Sequence, residues 1–357
     1  MVVTNKEISD SKFSNKVAGD RINISDDKIL NKYVLIGQNI LVTMDGVNIG
    51  KVGKYTNSKA VLAQRVGRVQ SKQFDFVYAV LDNQKFVNKM NVLAVGNAIK
   101  HISLSQISDY HFWLPICDVE QQKIGSFFKH LDELITLHQR MLDEYKTLKK
   151  TMLSKIFPKN GEKYPELRFF GFTDAWELRK LGLLASFTKG NGYSKKDLVQ
   201  DSNQTPIILY GSLYTNYKTN IEKVDTFARV KDKTIYSSGN DVVVPASGES
   251  AEDISRASAI LKKGIILGGD LNIIHPLPDL NAIFLAITIS NGTQKRELSR
   301  RAQGKSVVHL RNQDLKQVNL LYPNLEEQQK IGSFFKHLDE LITLHQRRRK
   351  ISNNRID

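Results

Sequence analysis

Three short polar loops in the second half of the chain carry side chains that could contact nucleic-acid bases. YGSLYT at 210–215 follows the apolar run PIIL, SGES at 247–250 follows VVVPA, and GGD at 268–270 follows IIL. At strand ends, Ser and Thr hydroxyls can pair with several base edges, and Arg or Lys can pair with guanine. Taken singly, each loop is more simply an ordinary turn. Three such loops in one basic region make DNA contact an equally good interpretation.

We therefore select a set of candidate DNA-contacting residues, most of them in or next to these loops. The set comprises Tyr210, Ser212, Tyr214, Thr215, Lys218, Ser247, Glu249, Ser250, Arg256 and Asp270, together with Asp45 and Arg65 in the first half of the chain. Their aromatic rings, hydroxyls and charges are groups that DNA-binding proteins use.

The chain has no convincing motif of a catalytic centre. KGNGYSKK at 189–196 lacks both the Walker spacing and the third glycine of a dinucleotide-binding loop. No Asn/Asp-Pro-Pro-aromatic tetrapeptide occurs, which argues against base methylation by this chain. A nuclease pattern can be assembled from Asp279 and Asp314-Leu315-Lys316 only across a wide gap. His101 and His309 lack carboxylates at metal-ligand spacing, so we expect structural roles for them, no catalytic residue and no metal site.

Composition and charge narrow the class of protein. The 357 residues suggest two domains, and 41% hydrophobic with 25% charged residues excludes wholesale disorder. The formal net charge of +15 suits a polyanionic partner, although charge alone does not separate DNA from RNA or an anionic membrane. Cys117 is the single cysteine, which excludes an internal disulfide and a Cys-based zinc site. Without a long apolar run or a signal peptide, we expect a cytoplasmic protein that does not span a membrane.

The chain contains a long internal repeat. Residues 120–140 and 327–347 share the identical sequence EQQKIGSFFKHLDELITLHQR. Weaker similarity extends upstream over two further pairs of segments, 94–115 with 302–323 and ILVTMDG at 40–46 with VVVPASG at 242–248. The repeat is far longer than a solenoid period and therefore indicates a duplicated unit of globule plus helix.

The repeated block has helical periodicity. Apolar residues from Ile124 to Ile156 recur at spacings of three, four and seven, which predicts one helix over 118–156, about 58 Å long. Such long stripes are typical of coiled coils, with the second copy as the obvious partner. The predicted seam residues are Phe128, Leu131, Leu134, Phe335, Leu338 and Leu341. Identity at exposed positions indicates either recent duplication or an identical partner on each copy; the predicted docking residues are Lys129, Arg140, Lys336 and Arg347.

Short apolar or β-branched runs separated by Gly, Ser and Asn surround the helices and predict mixed α+β globules. In the second half they are 206–209, 242–244, 264–267 and 273–274, and in the first half 34–36, 40–42, 60–62 and 76–81. The predicted order is a first globule at 1–117, a first helix at 118–157, a linker and second globule at 158–323, and a second helix at 324–357. The linker is the Gly-, Pro- and charge-rich segment 157–175.

This arrangement resembles the specificity subunit of a type I restriction-modification system. The motifs that carry the resemblance are EQQKI at 120–124, EEQQKI at 326–331, PELRFFGFTDAWELRKLG at 165–182 and the loops YGSLYT, SGESAEDI and LGGDLN. The resemblance implies an α+β protein with two mixed α/β target-recognition globules, separated by two long antiparallel coiled-coil helices in a pseudo-twofold repeat. Each globule would read one half of a bipartite site in double-stranded DNA. The helices would act as a ruler and dock two DNA methyltransferase subunits.

The resemblance also implies a non-catalytic chain within a larger assembly. S-adenosylmethionine, ATP and Mg would belong to partner subunits, which include a restriction endonuclease and translocase in the full complex. The first globule lacks a counterpart of WELRKLGLLASFTKGNGYSKKDL. The apolar stripe of the second helix stops after Arg347, so we expect that helix either to be about two to three turns shorter or to fray in a basic tail.

Three alternatives remain open from the sequence. A stand-alone DNA-binding regulator would form a stable dimer that binds its site without a partner. A DNA-processing enzyme would cleave or modify DNA alone, given a metal or methyl donor. A defective half-subunit would pair with another specificity chain.

Overall fold

A computed structural model describes residues 2–9, 21–55, 60–159, 161–304 and 307–353. Contacts divide the chain into two compact units: unit 1 is Met1–Met141 with His345–Asp357, and unit 2 is Leu142–Leu344. Each unit mixes α-helices with β-strands, in agreement with the predicted mixture.

Unit 1 is built on a three-stranded antiparallel sheet in the order β3-β2-β5, beside a parallel pair of β1 and β4. Its strands are β1 Val2–Val3, β2 Asn39–Thr43, β3 Val52–Tyr55, β4 Val61–Leu62 and β5 Val66–Val69. Its helices are α1 Asn5–Ser9, α2 Asp27–Tyr33, α3 Phe74–Leu81, α4 Gln84–Leu93 and α5 Leu104–Ser108. Ile40 and Val42 pack in one apolar cluster and Leu41 in another, so β2 is buried on both faces.

Of the short apolar runs noted in the sequence, 76–81 forms no strand, because this segment lies in helix α3. A short apolar run does not by itself distinguish a strand from a buried helix. Phe74, Val77, Tyr78 and Leu81 recur at helical spacing and all contact the same core cluster. The run at 34–36 is also not a strand, since only an isolated bridge at Val34 is present there.

Unit 2 contains a five-stranded sheet, a four-stranded sheet and two strand pairs. The orders are β11-β15-β9-β10-β8, β14-β12-β16-β7, β13-β17 and β18-β6. The strands are β6 Glu177–Lys180, β7 Ala185–Lys189, β8 Leu198–Val199, β9 Thr205–Ile208, β10 Phe227–Ala228, β11 Tyr236–Ser238, β12 Asp241–Pro245, β13 Ser247–Gly248, β14 Ser258–Ile260, β15 Lys263–Leu267, β16 Leu271–Pro276, β17 Val308–His309 and β18 Asn319–Tyr322. The short helices are α7 Ser212–Thr215, α8 Ala251–Ile254, α9 Ala282–Ser290, α10 Gly292–Arg301 and α11 Asn312–Lys316.

The centre of unit 2 repeats the arrangement of unit 1. Val242 and Val244 of β12 contact the largest apolar cluster, whereas Val243 contacts a second cluster on the other face. Helix α9 is buried almost throughout and covers the first of these faces, which explains its continuous apolar sequence AIFLAITIS. A run of β-branched residues with no polar alternation is what a strand buried on both faces requires.

Two long helices contribute to both units. Helix α6 spans Asp118–Lys155 with 38 residues, where the sequence predicts 118–156, and α12 spans Leu325–Asn353 with 29 residues. Within unit 2, Lys149 pairs with Asp339, and Lys146 and Ile342 line one common cleft, so the two helices run antiparallel there. No helix in the described ranges is both long and apolar enough to cross a membrane.

The N-termini of α6 and α12 are anchored in the same way. The buried Gln121 side chain donates to the carbonyl of Pro115 at 2.7 Å, and Gln328 donates to the carbonyl of Pro323 at 2.8 Å. Four residues farther along each helix, Gly125 and Gly332 pack against α3 and α9 of their own units. The duplicated sequence therefore places each helix on its own globule through matched residues.

Candidate nucleic-acid interface

The chain just after the central strand, β2 in unit 1 and β12 in unit 2, is held by the same backbone hydrogen bonds in both units, and we call this arrangement the frame. In unit 1 the Met44 amide donates to the carbonyl of Arg65 at 3.1 Å, and in unit 2 the Ala246 amide donates to that of Asp270 at 2.8 Å. Arg65 and Asp270 both have left-handed backbones, with φ of 71° and 57°. Such values are uncommon outside glycine and often mark functional loops. Two candidates chosen from the sequence thus occupy equivalent positions.

A second pair of candidates is equivalent in the same frame. Asp45 forms an antiparallel bridge with His101, and Ser247 pairs with His309 between β13 and β17. In unit 2 the Ser247 hydroxyl also lies 3.2 Å from His309 Nδ1. The structural role predicted for both histidines therefore corresponds to holding the second residue after the central strand. Asp45 additionally accepts a hydrogen bond from Asn5.

The histidines are held in place by a tight loop that requires glycine. Gly96 and Gly304 have φ of 123° and 137°. A Cβ atom would lie 2.3 Å from the Ile99 carbonyl oxygen at Gly96 and 1.9 Å from the Val307 carbonyl oxygen at Gly304. Only glycine combines this backbone with this close approach.

Substituting Gly304 with alanine should therefore destabilise unit 2 strongly. The Cβ clash and the unfavourable φ together should lower the free energy of unfolding by about 3 kcal/mol or more. Urea unfolding of Gly304→Ala measures the loss. Gly211→Ala is the matched control, because a Cβ there meets no atom within 4 Å, and it should change stability by less than about 1 kcal/mol. Equal stability of the two variants would contradict this assignment.

In unit 2 an aromatic cluster lies against this frame. The Tyr214 hydroxyl donates to the carbonyl of Ser247 at 2.8 Å, and Tyr210 packs edge-on against Tyr214 with centroids 6.4 Å apart. Burial raises the pKa of Tyr214 to about 12, so the phenol remains a protonated donor at neutral pH. The YGSLYT loop and the Ser247 strand, which are far apart in sequence, are thus brought together.

Arg256 contacts several residues of the same aromatic cluster. Its guanidinium lies 5.2 Å from the Tyr214 ring and 5.6 Å from the Tyr217 ring, and it donates to Asp253 Oδ1 at 2.7 Å. It also donates to the Leu213 carbonyl at 3.3 Å. These contacts hold α7 against α8 within unit 2, so the guanidinium already has protein partners.

Several candidate hydroxyls also have backbone partners. Ser212 donates to the Leu209 carbonyl at 2.7 Å, Thr215 donates to the Gly211 carbonyl at 3.2 Å, and Ser250 caps α8 by accepting from the Asp253 amide at 3.0 Å. Of the remaining candidates, Glu249, Asp270 and Arg65 are exposed and Lys218 is half-buried.

A basic loop at 189–196 lies beside the 268–270 loop in unit 2. In the loop 189–196, the Asn191 amide donates to the Leu267 carbonyl and Gly269 donates to the Tyr193 carbonyl, each at 3.2 Å. This loop therefore borders the 268–270 loop and brings the exposed Lys195 and Lys196 close to it. KGNGYSKK does not match a phosphate-binding motif, and its cluster of lysines was the sequence signal that marks it as a basic loop.

The four predicted docking residues lie on the long helices in different environments. Lys336 donates to Glu222 at 2.6 Å, and this contact raises the pKa of the lysine and lowers that of the glutamate. Lys129, Arg140 and Arg347 are exposed. The identical sequences therefore present different surfaces in the two copies.

The predicted seam residues also differ between the copies. Phe335 and Leu338 are buried in the main apolar cluster of unit 2, and Leu341 is half-buried. Their counterparts Phe128, Leu131 and Leu134 are exposed. The expected burial of the first-copy residues in a seam is therefore not seen. Within unit 2, Tyr145, Met152 and Leu153 of α6 pack against the same cluster as Phe335 and Leu338.

Comparisons with known proteins agree over nearly the whole chain. The family model "Type I restriction modification DNA specificity domain" matches residues 4–147 and 173–352. A type I restriction enzyme MjaVIII specificity subunit from Methanocaldococcus jannaschii is 20% identical over 335 residues, which is 90% of this chain and 77% of that protein. Among solved structures, the type I restriction-modification S subunit from M. genitalium has a TM-score of 0.54 at 14% identity and supports the fold; the match covers 92% of this chain and 83% of that one. The HsdS subunit from Thermoanaerobacter tengcongensis, also 14% identical, matches with a TM-score of 0.47 over 90% of this chain and 78% of that one.

Proposed function

Because the chain belongs to the type I restriction-modification DNA specificity family, we propose that it reads a bipartite target in double-stranded DNA, with one unit for each half. The observation that carries this proposal is the matched frame at the end of β2 and β12. The same backbone hydrogen bonds present Asp45 and Arg65 in unit 1, and Ser247 and Asp270 in unit 2.

The two frames are alike in backbone and different in side chains, which is the pattern that two different half-sites require. An arginine can pair with guanine, whereas an aspartate accepts from cytosine and a serine can pair with several bases. The net charge of +15 and the exposed Lys195 and Lys196 supply attraction to phosphates, which positions a protein without specifying sequence.

The repeated helices are the proposed docking surface for two methyltransferase subunits. Identical residues at equivalent positions of the two copies, Lys129 and Arg140 with Lys336 and Arg347, suit two copies of one partner, although Lys336 also pairs with Glu222. In this proposal the chain itself is not catalytic. The partners supply S-adenosylmethionine, ATP and Mg, and a restriction endonuclease and translocase completes the complex.

Variants at Arg65 and Asp270 test whether each unit reads its own half-site. Arg65→Asn and Asp270→Asn remove a charge, and asparagine tolerates the left-handed backbone. Each should weaken binding to its own half-site by about tenfold and leave the other half unchanged, since one good base contact contributes about 1–3 kcal/mol. The measurement is enrichment of bound duplexes from a randomised library by the complex with its methyltransferase subunits, repeated at rising salt.

Lys233→Asn is the matched control, because Lys233 has φ of 59° and is exposed but lies outside the frame. It should lower overall affinity without changing the preference in either half. Three results would count against the proposal. The enriched sequence could consist of a single part, one variant could change the preference in both halves, or binding could be insensitive to salt.

A further inference from the structure

The repeated helix block presents one apolar stripe in two environments. In the second copy, Phe334 is packed against other rings of unit 2. In the first copy, the equivalent Phe127 is 59% exposed. The two sequences are identical over this block, so the difference lies in what covers each helix.

The segment 165–176 covers the second copy, and its first anchor is an ion pair. Arg168 Nε donates to Glu327 Oε1 at 2.8 Å, and Nη2 donates to Oε2 at 2.7 Å. The Glu327 side chain is only 1% exposed. Bidentate arginine–carboxylate pairs of this kind are both strong and geometrically specific.

Two aromatic anchors follow in the same segment. Phe169 packs edge-on against Phe334 with centroids 5.8 Å apart, and Lys330 lies 4.7 Å from the centre of the Phe172 ring. The segment thus presents Arg-Phe-x-x-Phe to Glu327, Lys330 and Phe334. Spacings of three and seven place these three helix residues on one face.

The first copy carries the same three residues, Glu120, Lys123 and Phe127, and all are exposed. Neither Glu120 nor Lys123 forms an ion pair within the ranges that the structure describes. The neighbouring rings are already arranged: Phe127 and Phe128 meet at 79° and 5.5 Å, as Phe334 and Phe335 meet at 78° and 5.3 Å. The first copy therefore carries the same three receiving residues, exposed and with the ring pair in the same geometry.

We infer that the stripe formed by Glu120, Lys123 and Phe127 binds a partner polypeptide segment with the pattern Arg-Phe-x-x-Phe. Charge and shape set this chemistry. The Glu120 carboxylate at one end of the stripe favours a cation. Phe127 favours an aromatic ring packed edge-on, and the Lys123 ammonium group favours the face of a second ring. Glu120 disfavours a nucleic-acid occupant, because its charge repels phosphate.

This site is separate from the proposed DNA frame and from the docking candidate on the same helix. Lys129 lies two residues beyond Phe127, which turns it about 200° around the helix axis. The inference therefore does not depend on the proposed function, and it concerns a third kind of partner. A methyltransferase that docks on Lys129 would leave this stripe open.

The test uses the full chain and a labelled peptide of residues 163–176, KYPELRFFGFTDAW, followed by fluorescence anisotropy. We expect saturable binding that Glu120→Arg weakens about tenfold or more, since the ion pair becomes a repulsion. A peptide with Arg168→Glu should bind the wild-type chain about tenfold more weakly and regain affinity on the Glu120→Arg chain. Phe127→Ser provides a second variant at a position too exposed to threaten folding.

Glu133→Arg is the control, because Glu133 is exposed on the same helix but outside the stripe. It should leave binding unchanged, and circular dichroism should show all variants folded. Absence of peptide binding would overturn the inference. Binding that Glu120→Arg does not alter would also overturn it, since the peptide would then occupy a different surface, such as the second copy.

Discussion

Replacing Phe335 with aspartate should unfold unit 2, whereas the same replacement at Phe128 should leave the protein folded. Phe335 is 1% exposed in the main apolar cluster, and Phe128, with identical sequence neighbours, is 47% exposed. Deleting a buried ring costs about 3–5 kcal/mol, and burying a carboxyl group adds to that. The sum approaches the whole stability of an ordinary domain, about 5–15 kcal/mol. At Phe128 we expect a cost of about 1–2 kcal/mol.

Tryptophan fluorescence during urea unfolding measures the difference directly. Trp176 is buried against Phe284 in unit 2, with centroids 5.8 Å apart, and Trp113 in unit 1 is fully exposed. A red shift in emission therefore reports Trp176. Phe335→Asp should emit at the unfolded wavelength without urea, and Phe128→Asp should shift only when urea is added. Two variants of equal stability would contradict the burial difference.

Lengthening both long helices at the point where they meet should increase the spacing between the two half-sites. His138 and His345 are equivalent residues of the repeat, and their Nδ1 atoms lie 3.2 Å apart across the two helices. A seven-residue insertion beside each histidine adds about 10 Å to each helix. Seven residues also preserve a seam with a 3.5-residue period. The added length corresponds to about three base pairs.

The measurement is the preferred spacer on a library of duplexes, read as methylation by the complex with its methyltransferase subunits. We expect a preferred spacer longer by about three base pairs, with weaker binding because the second groove is rotated. Insertion into one helix alone should break the pairing and lower stability. If the double insertion stays folded and active with an unchanged spacer, the helices do not set the spacing.

Periodicity over many turns was the most reliable guide to the fold. The repeat of apolar residues places the first long helix at 118–156, and the structure has Asp118–Lys155. Short apolar segments were poorer guides, since 76–81 has the composition of a strand and forms part of α3. A long stripe leaves no alternative to a helix, whereas a short run is decided by its tertiary neighbours.

Side-chain environment could not be predicted from a repeated sequence. Phe128 and Phe335 have identical neighbours in sequence, and only the segments packed on each helix distinguish them. The sequence indicated the candidate DNA-contacting residues only through the polar composition of their loops. The structure shows in addition that Tyr214 is hydrogen-bonded to Ser247 and that Arg65 and Asp270 occupy equivalent positions. Such long-range equivalences depend on strand register, which loop composition does not encode.

The division of the chain into units also sets an order of folding during synthesis. Unit 2 is one uninterrupted stretch from Leu142 to Leu344, whereas unit 1 needs its first 141 residues and the stretch that starts at His345. A nascent chain leaves the ribosome from its N-terminus, and domains generally fold as they become complete. Unit 2 can therefore finish before unit 1, although it is made later. The contact of His138 with His345 can form only after residue 345 has been made, so until then the first half of α6 is present on the growing chain without its partner helix.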